Sequence, residues 1–191
     1  MEGPSDEKFW NKVLPRSFPG VQFKFQIMNG CPRLIRDAPK VINTFKQLGY
    51  ASGFLLLDYD TAFRKVDLCP GKVLDRFDPY TKAAASLPLT ERFVHVCVAV
   101  RGLESWYLVD EAAINKLLPD VSYVSPPETG SQQGKTLDTL WRQQQQGAFN
   151  KLSFAPLIGS IYTPQEACKH SQSFARFWER ITTVTATANS Y

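Results

Sequence analysis

The chain alternates between short apolar runs and longer stretches in which apolar residues recur at helical spacing. Two runs, Phe54 to Leu57 and Phe93 to Val100, are predicted to be strands buried in a sheet. The stretch from Leu34 to Leu48 carries apolar residues three or four positions apart and precedes Gly49, which predicts a helix that ends at this glycine. A further strand is predicted over Val21 to Ile27, where apolar and polar residues alternate.

Cap and terminator residues predict helices along much of the remaining chain. Ser5 is a candidate N-cap and Pro15 a candidate terminator, which predicts a first helix over Ser5 to Leu14. Thr163, Pro164 and Glu166 form the sequence pattern of a capping box, which predicts a last helix with a polar, frayed tail from Thr182. The other predicted elements are a helix from near Leu103, helices over Glu111 to Leu118 and Leu137 to Phe149, and a short strand over Val121 to Val124.

Strands that alternate with helices predict the α/β fold class. We expect a mainly parallel central sheet of Rossmann-like type with helices on both faces, and extra C-terminal helices. Residues 1–125 are predicted to form this α/β core, and residues 126–191 a helical extension packed on it. In such sheets ligands collect at the carboxyl ends of the strands.

Composition narrows the class of protein without defining its activity. The chain has 191 residues and a formal net charge of +4, which suits one domain and permits binding to nucleic acid. Its four cysteines lack the spacing of a zinc site or a disulfide framework. No stretch has the length and apolar character of a membrane span, so no membrane partner is expected and the cytoplasm is the expected compartment.

Acidic residues gather where the predicted strands end. Asp58 and Asp60 follow the first buried strand and, being two residues apart, are predicted to project to the same face. Glu104 follows the second buried strand and is predicted to reach the same edge, while Glu2 and Asp6 flank the start of the first helix. Carboxylates held close together repel one another unless a cation intervenes, and Mg²⁺ prefers such oxygen ligands. Three or four carboxylates at this edge could hold one or two metal ions suited to phosphodiester chemistry.

These motifs resemble the TOPRIM domain of topoisomerases, primases and OLD-type nucleases. The resemblance rests on Glu2-Gly3-x-Ser5-Asp6 before a helix and on Asp58-x-Asp60 after an apolar strand. The segments Gly102 to Trp106 and Ser173 to Phe177 are similar to those of small stand-alone bacterial TOPRIM-like proteins related to OLD nucleases. One departure is that only Met1 precedes Glu2, whereas TOPRIM domains carry this glutamate at the end of a hydrophobic first strand.

The resemblance implies a role for each site residue. Glu2 would be a metal ligand or general base, Asp58, Asp60 and Glu104 would be ligands of Mg²⁺ or Mn²⁺, and Asp6 would support a second metal. OLD-type enzymes also use a late lysine near the scissile phosphate, for which Lys151 and Lys135 are the candidates, with Lys151 preferred. Each acidic residue also has a simpler interpretation, since Asp6 suits the first turn of a helix, Asp-x-Asp suits a turn and Glu104 suits a helix surface.

The function expected from the resemblance is a metal-dependent nuclease. Its substrate would be DNA in preference to RNA, and its setting a phage-defence or toxin-type system. The alternative is a catalytically weak TOPRIM-like module that binds nucleic acid or regulates an ATPase partner protein. A homodimer is a further expected form of association.

Overall fold

The computed structural model describes residues 1, 3–59, 87–88, 91–100, 102–125, 133–145 and 147–188. Within these residues the fold is mixed α/β, with eight helices and one sheet of two parallel strands. The strands are β1 (Gly53–Tyr59) and β2 (Val94–Val100). The helices are α1 (Pro4–Ser17), α2 (Cys31–Gln47), α3 (Leu103–Leu108), α4 (Glu111–Leu117), α5 (Gln133–Gln145), α6 (Lys151–Ile161), α7 (Pro164–His170) and α8 (Gln172–Ala188). None of the helices in this part of the chain is long and apolar enough to span a membrane.

The two buried runs form the predicted strands. They pair in parallel, with Leu56 opposite Cys97 and Asp58 opposite Ala99. Parallel pairing brings the carboxyl ends of both strands to one edge, where β2 leads through Gly102 into α3. The sequence therefore predicted the strand pair and the edge that carries Asp58.

Side chains from the two faces of this strand pair enter separate apolar clusters. On one face, Leu55 and Leu57 pack with Leu34, Ala38 and Ile42 of α2. On the other face, residues that include Leu56, Cys97 and Ala99 join the larger core. Every helix except α2 contributes a buried side chain to that larger core, so residues on both sides of position 126 share it.

Aromatic rings fill the centre of the larger core. Trp10, Trp106 and Phe174 are fully buried. The Trp106 ring lies edge-on to both others, with ring centroids 6.0 Å from Trp10 and 5.3 Å from Phe174. These contacts join α1, α3 and α8, so the start of α3 at the sheet edge is anchored by a large apolar surface.

Two predicted strands are not strands in the structure. Residues 21–28 form neither a helix nor a strand and pair with no strand among the described residues. Near Tyr123, the backbone N–H and C=O both bond to the Asn115 side-chain amide, at 2.8 Å each. The amide of Asn115 therefore satisfies the backbone groups that a neighbouring strand would have satisfied.

Both boundaries of α1 differ from the prediction, α5 covers Gln133–Gln145 rather than Leu137 to Phe149, and one helix was not predicted. Helix α1 begins at Pro4, is capped by Gly3, and continues through Pro15 to Ser17. A proline in the last turn removes only one helical hydrogen bond, which explains why Pro15 does not end α1. Helix α6 was not predicted, although Asn150 is its N-cap and accepts hydrogen bonds from the N–H groups of Leu152 and Ser153.

The single last helix of the prediction is two helices that meet at Ser171. The Ser171 hydroxyl accepts the Phe174 N–H at 3.0 Å and starts α8, which stays helical to Ala188 rather than fraying from Thr182. Thr163 makes no side-chain cap, and its N–H instead donates to the Asp110 carboxylate. Asp110 also accepts the Ala113 N–H and caps α4, so this buried carboxylate joins α4 to the start of α7.

Candidate functional site at the carboxyl edge of the strands

Asp58, at the carboxyl end of β1, binds the first turn of α3. Its Oδ1 accepts the Leu103 N–H at 3.0 Å, so the carboxylate satisfies one of the N–H groups that a helix start leaves unpaired. Gly102 precedes this turn with a φ of +87°, a left-handed conformation that glycine adopts without strain. The chain can therefore turn sharply from β2 into α3 beside Asp58.

The absence of a side chain at Gly102 allows two carboxylates to converge. A Cβ atom at this position would lie 3.2 Å from Glu104 Oε2 and 3.7 Å from Asp58 Oδ2. Glu104 is the second residue of α3, so the helix start that Asp58 fixes also carries Glu104. Both carboxylates therefore approach one small region at the edge of the sheet.

Lys151 brings a positive charge to these acids from the first residue of α6. Its Nζ lies 2.6 Å from Glu104 Oε1 and 3.8 Å from Asp6 Oδ1, with the lysine side chain 32% exposed. Burial pushes the pKa of Lys151 down. The charge and hydrogen bond of Glu104, with the charges of Asp6 and Asp58, outweigh burial and raise the pKa above its usual value. The ammonium group therefore stays protonated at neutral pH.

Asp6 is the most deeply buried carboxylate of the three, at 2% exposure. Its two oxygens accept hydrogen bonds from the Gly3 N–H at 2.8 Å and the Ser5 hydroxyl at 3.2 Å. Burial raises the pKa of Asp6, Lys151 and these hydrogen bonds oppose the rise, and the charge of Glu104 adds to it. We call Asp6, Asp58 and Glu104 together the acidic cluster.

Tyr107 adds a buried hydroxyl beside the acidic cluster. The residue has no exposed surface, and its Oη has no hydrogen-bond partner among the described residues. Burial raises its pKa well above the ordinary value, and the charges of Asp6, Glu104 and Asp58 raise it further. The sequence motifs did not single out Tyr107. The signal was present, because Glu104 and Tyr107 are three positions apart and therefore share a face of α3.

Helices α1 and α6 run side by side in the same direction and hold Asp6 and Lys151 in place. Their starts meet at the Asp6–Lys151 contact, and near their ends the Arg16 guanidinium donates to the carbonyl groups of Ser160 and Tyr162. Between these points the helices approach so closely that a Cβ at Gly159 would lie 2.9 Å from the Phe9 carbonyl oxygen. The position of the lysine is therefore set along the whole length of α6.

The structure thus brings together four of the seven residues that the sequence suggested. Asp6, Asp58, Glu104 and Lys151 lie at one edge of the sheet. Glu2 and Asp60 lie outside the described residues, as does the side chain of Lys135.

The donor chemistry of the acidic cluster suits Mg²⁺ or Mn²⁺, because every donor is a carboxylate oxygen. In the described part of the chain, however, no three His, Cys, Asp or Glu side chains are grouped closely enough to hold a metal ion. The Lys151 ammonium contacts two of the three carboxylates and neutralises part of their charge. A metal at this edge would therefore compete with Lys151 for the same oxygens.

Comparison with known proteins gives a family but no activity. No curated protein and no solved structure matches the chain. One family model matches residues 1–182, nearly the whole chain, and it describes a domain of unknown function. The protein therefore belongs to the family described as Domain of unknown function (DUF4276).

Proposed function

We propose that this protein is a metal-dependent nuclease of TOPRIM type that hydrolyses phosphodiester bonds, in DNA in preference to RNA. One observation carries the proposal: Asp58 and Glu104 converge at the carboxyl edge of parallel strands, with Lys151 in direct contact with Glu104. Ligand sites of α/β proteins concentrate at this edge. Acidic oxygens with an adjacent lysine have the chemistry to bind a cation and a phosphate together.

In this proposal each side chain has a distinct role. Asp58 and Glu104, with Asp6, Glu2 and Asp60, would hold Mg²⁺ or Mn²⁺, which when bound supplies Lewis-acid stabilisation of phosphate charge and an activated water. Lys151 would release Glu104 and turn towards a phosphate oxygen, where its ammonium stabilises negative charge. The Leu103 N–H would keep the Asp58 carboxylate oriented during this exchange.

We also propose a larger sheet for this nuclease and a biological role for its activity. The two described strands would be part of a larger, mainly parallel TOPRIM-like sheet with helices on both faces. Nuclease activity of this type fits a phage-defence or toxin-type system, with an ATPase as a partner protein. The net charge of +4 favours contact with nucleic acid in general and does not select a sequence.

Calorimetric titration with Mn²⁺ tests the proposed cation site. Wild-type protein should bind Mn²⁺, and the double variant Asp58→Ala/Asp60→Ala should lose that binding. Asp138→Ala is the matched control, because Asp138 pairs with Arg142 on the surface of α5 and its loss should leave binding unchanged. Equal Mn²⁺ binding by wild type and the Asp58/Asp60 variant would exclude these residues as the site.

Cleavage of DNA tests the reaction itself. With Mn²⁺ present, wild type should cut DNA, while Lys151→Met should lose most cleavage and retain metal binding. Lys169→Met is the control, because Lys169 makes a similar contact with Glu166, at 2.7 Å, on an exposed surface. Full cleavage by the Lys151 variant would remove this lysine from the mechanism.

A second candidate function is a catalytically weak module that binds nucleic acid or regulates an ATPase partner. The ion pairs of Lys151 favour it, because a lysine that neutralises Glu104 and Asp6 leaves less charge for a metal. Absence of Mn²⁺ binding in wild type, together with retained binding to DNA or copurification with an ATPase, would support this second function.

A further inference from the structure

A cavity of about 140 Å³ opens beside β1, away from the acidic cluster. Two continuous segments of the chain line it, residues 22–26 and residues 52–56, together with Met1. Trp10 and Ile42 contribute apolar surface from α1 and α2. We call this cavity the strand slot.

β1 has the character of an interior strand but only one described neighbour. Leu55, Leu56 and Leu57 are 8%, 5% and 3% exposed, so both faces of the strand are buried. Strands buried in this way are typical of parallel sheets in which each strand has a neighbour on either side. In the part of the chain that the structure describes, β1 pairs only with β2. The strand slot is lined by β1 and by Ile42 and Phe177, which belong to the apolar clusters on opposite faces of the strand pair, so the slot lies at an edge of β1.

The opposite wall of the slot is also strand-like. Along residues 21–27 exposed and half-buried side chains alternate, with Phe23 and Phe25 on the half-buried side. This segment has the alternation of a strand and makes no ladder with another strand among the described residues. Two segments with strand-like alternation or pairing therefore border the same cavity, and among the described residues they are not paired to each other.

Met1 makes the first step of a ladder inside this arrangement. Its amino group donates to the Gln26 carbonyl at 3.2 Å, and its carbonyl accepts the Met28 N–H at 3.0 Å. In a parallel β-bridge, one residue bonds to the two residues on either side of its partner. Met1 therefore has the hydrogen bonds of a residue paired in parallel with Ile27. A strand that led into Met1 and continued this parallel pairing would run alongside residues 21–27.

Trp10 supplies an independent sign that the slot takes a polar backbone. Trp10 is one of the residues that line the cavity, it is fully buried, and its indole N–H has no hydrogen-bond partner among the described residues. Buried N–H groups of native proteins are rarely left unpaired. A peptide carbonyl in the slot could satisfy this donor.

We propose that the strand slot binds an extended peptide strand that runs parallel to β1 and leads into Met1, as an N-terminal segment joined to this chain would. Its backbone pairs with residues 22–26 on one side and with β1 on the other. Its side chains alternate between the apolar surfaces of α2 and of the larger core, so the segment is apolar at most positions.

A fused segment tests this proposal. Six residues rich in Val and Ile are joined ahead of Met1, and the matched control carries proline at the second and fourth of these positions, because proline cannot donate to a ladder. The Val/Ile segment should raise Tm by roughly 5 °C or more relative to its proline control. It should also slow amide exchange at residues 22–26 and 53–56 by about tenfold or more.

Three outcomes would overturn the proposal. Equal Tm and equal exchange for the two fusions would show that no strand enters the slot. Stabilisation by the separate six-residue peptide, without any from the fused one, would show that the strand does not lead into Met1. A rise in Tm that accompanies dimer formation and disappears at low protein concentration would assign the slot to a second copy of the chain.

Discussion

The Lys151 ammonium lies 2.6 Å from the Glu104 carboxylate, although 47 positions separate the two residues in the chain. Glu104 comes from the start of α3 and Lys151 from the start of α6, so the ion pair joins two helices at the edge of the strand pair. The same lysine contacts Asp6 of α1. One cation therefore holds the starts of three helices together.

Replacing Lys151 by Met should destabilise the fold, because the variant leaves Asp6 and Glu104 without their counter-charge. We expect the free energy of unfolding at pH 7 to fall by about 1–3 kcal/mol, since unpaired charges in partly buried sites are costly. Urea denaturation measures the change. Lys169→Met, which breaks an exposed pair with Glu166, should stay within about 0.5 kcal/mol of wild type.

A double variant separates the ion pair from other effects of losing Lys151. Adding Glu104→Gln to Lys151→Met should recover part of the lost stability, because the amide removes the unpaired charge. Strictly additive losses would show that the two residues do not interact in solution.

Replacing Gly102 by Ala should disturb both the backbone and the carboxylates. An alanine with φ near +87° is strained by about 1 kcal/mol, and its Cβ would press on Glu104 Oε2 at 3.2 Å. Gly20→Ala is the matched control, because Gly20 has a φ of +85° and no atom within 4 Å of the added Cβ. Gly102→Ala should cost about 1–2 kcal/mol more than Gly20→Ala in the free energy of unfolding. Equal losses of stability in the two variants would show that the Glu104 and Asp58 carboxylates move aside at no measurable cost in free energy.

Stability should fall as pH is lowered because His95 is buried in its neutral form. Burial, and then the charge of Arg180, lowers the pKa of His95 from 6.5 to about 4. Between these values the unfolded chain binds more protons than the folded one. The contribution of His95 is therefore fully present above pH 6.5 and is lost as pH falls towards 4. Its full size is about 3 kcal/mol.

Urea denaturation of wild type and His95→Gln between pH 7 and pH 4.5 measures this contribution. The variant should show a smaller loss of stability across the window, whatever its stability at pH 7. His170→Gln, at an exposed position of α7, should keep the wild-type slope. The buried carboxyl groups of Asp6 and Asp110 have raised pKa values. Their contribution to the stability of the fold therefore falls as pH rises, which is opposite to the contribution of His95. Identical slopes for wild type and His95→Gln would contradict the burial of a neutral imidazole.

Replacing Gly159 by Ala should separate α6 from α1. The new Cβ would lie 2.9 Å from the Phe9 carbonyl oxygen and 3.1 Å from Lys12 Cβ, and the backbone atom cannot move aside without shifting α1. We expect a loss of about 1–3 kcal/mol in the free energy of unfolding. Ser153→Ala, at an exposed position of α6, is the control and should be nearly neutral. A Gly159→Ala variant with the free energy of unfolding of wild type would mean that α1 and α6 do not pack this closely.

Local pattern predicted the parts of the site that lie within one element. Asp58 follows a short run of apolar residues that predicts a buried strand, and its position at the strand end follows from that prediction. Glu104 followed the second run in the same way. Lys151 was favoured over Lys135 only by resemblance, because its position depends on how α6 packs on α1, which no local pattern contains.

Two of the errors have a common physical origin in polar side chains that bond to distant backbone groups. Asn115 satisfies the backbone of Tyr123, so a segment with strand-like residues is not a strand. Asp110 takes the Thr163 N–H, so the predicted capping box does not form at that threonine. Such side-chain to backbone bonds join residues 8 and 53 positions apart, and sequence periodicity carries no information about them.

The shared direction of α1 and α6 has an electrostatic consequence for the acidic cluster. Parallel helices set like ends of their dipoles side by side, which is unfavourable unless opposite charges lie at each end. Asp6 and Glu104 supply negative charge where the positive ends meet, and Arg16 supplies positive charge at the negative ends. These acids therefore offset both the positive helix ends and the Lys151 ammonium that lies beside them, whether or not they take part in chemistry. A variant that removes one of them must be shown to be folded before its lost activity is attributed to a lost reaction.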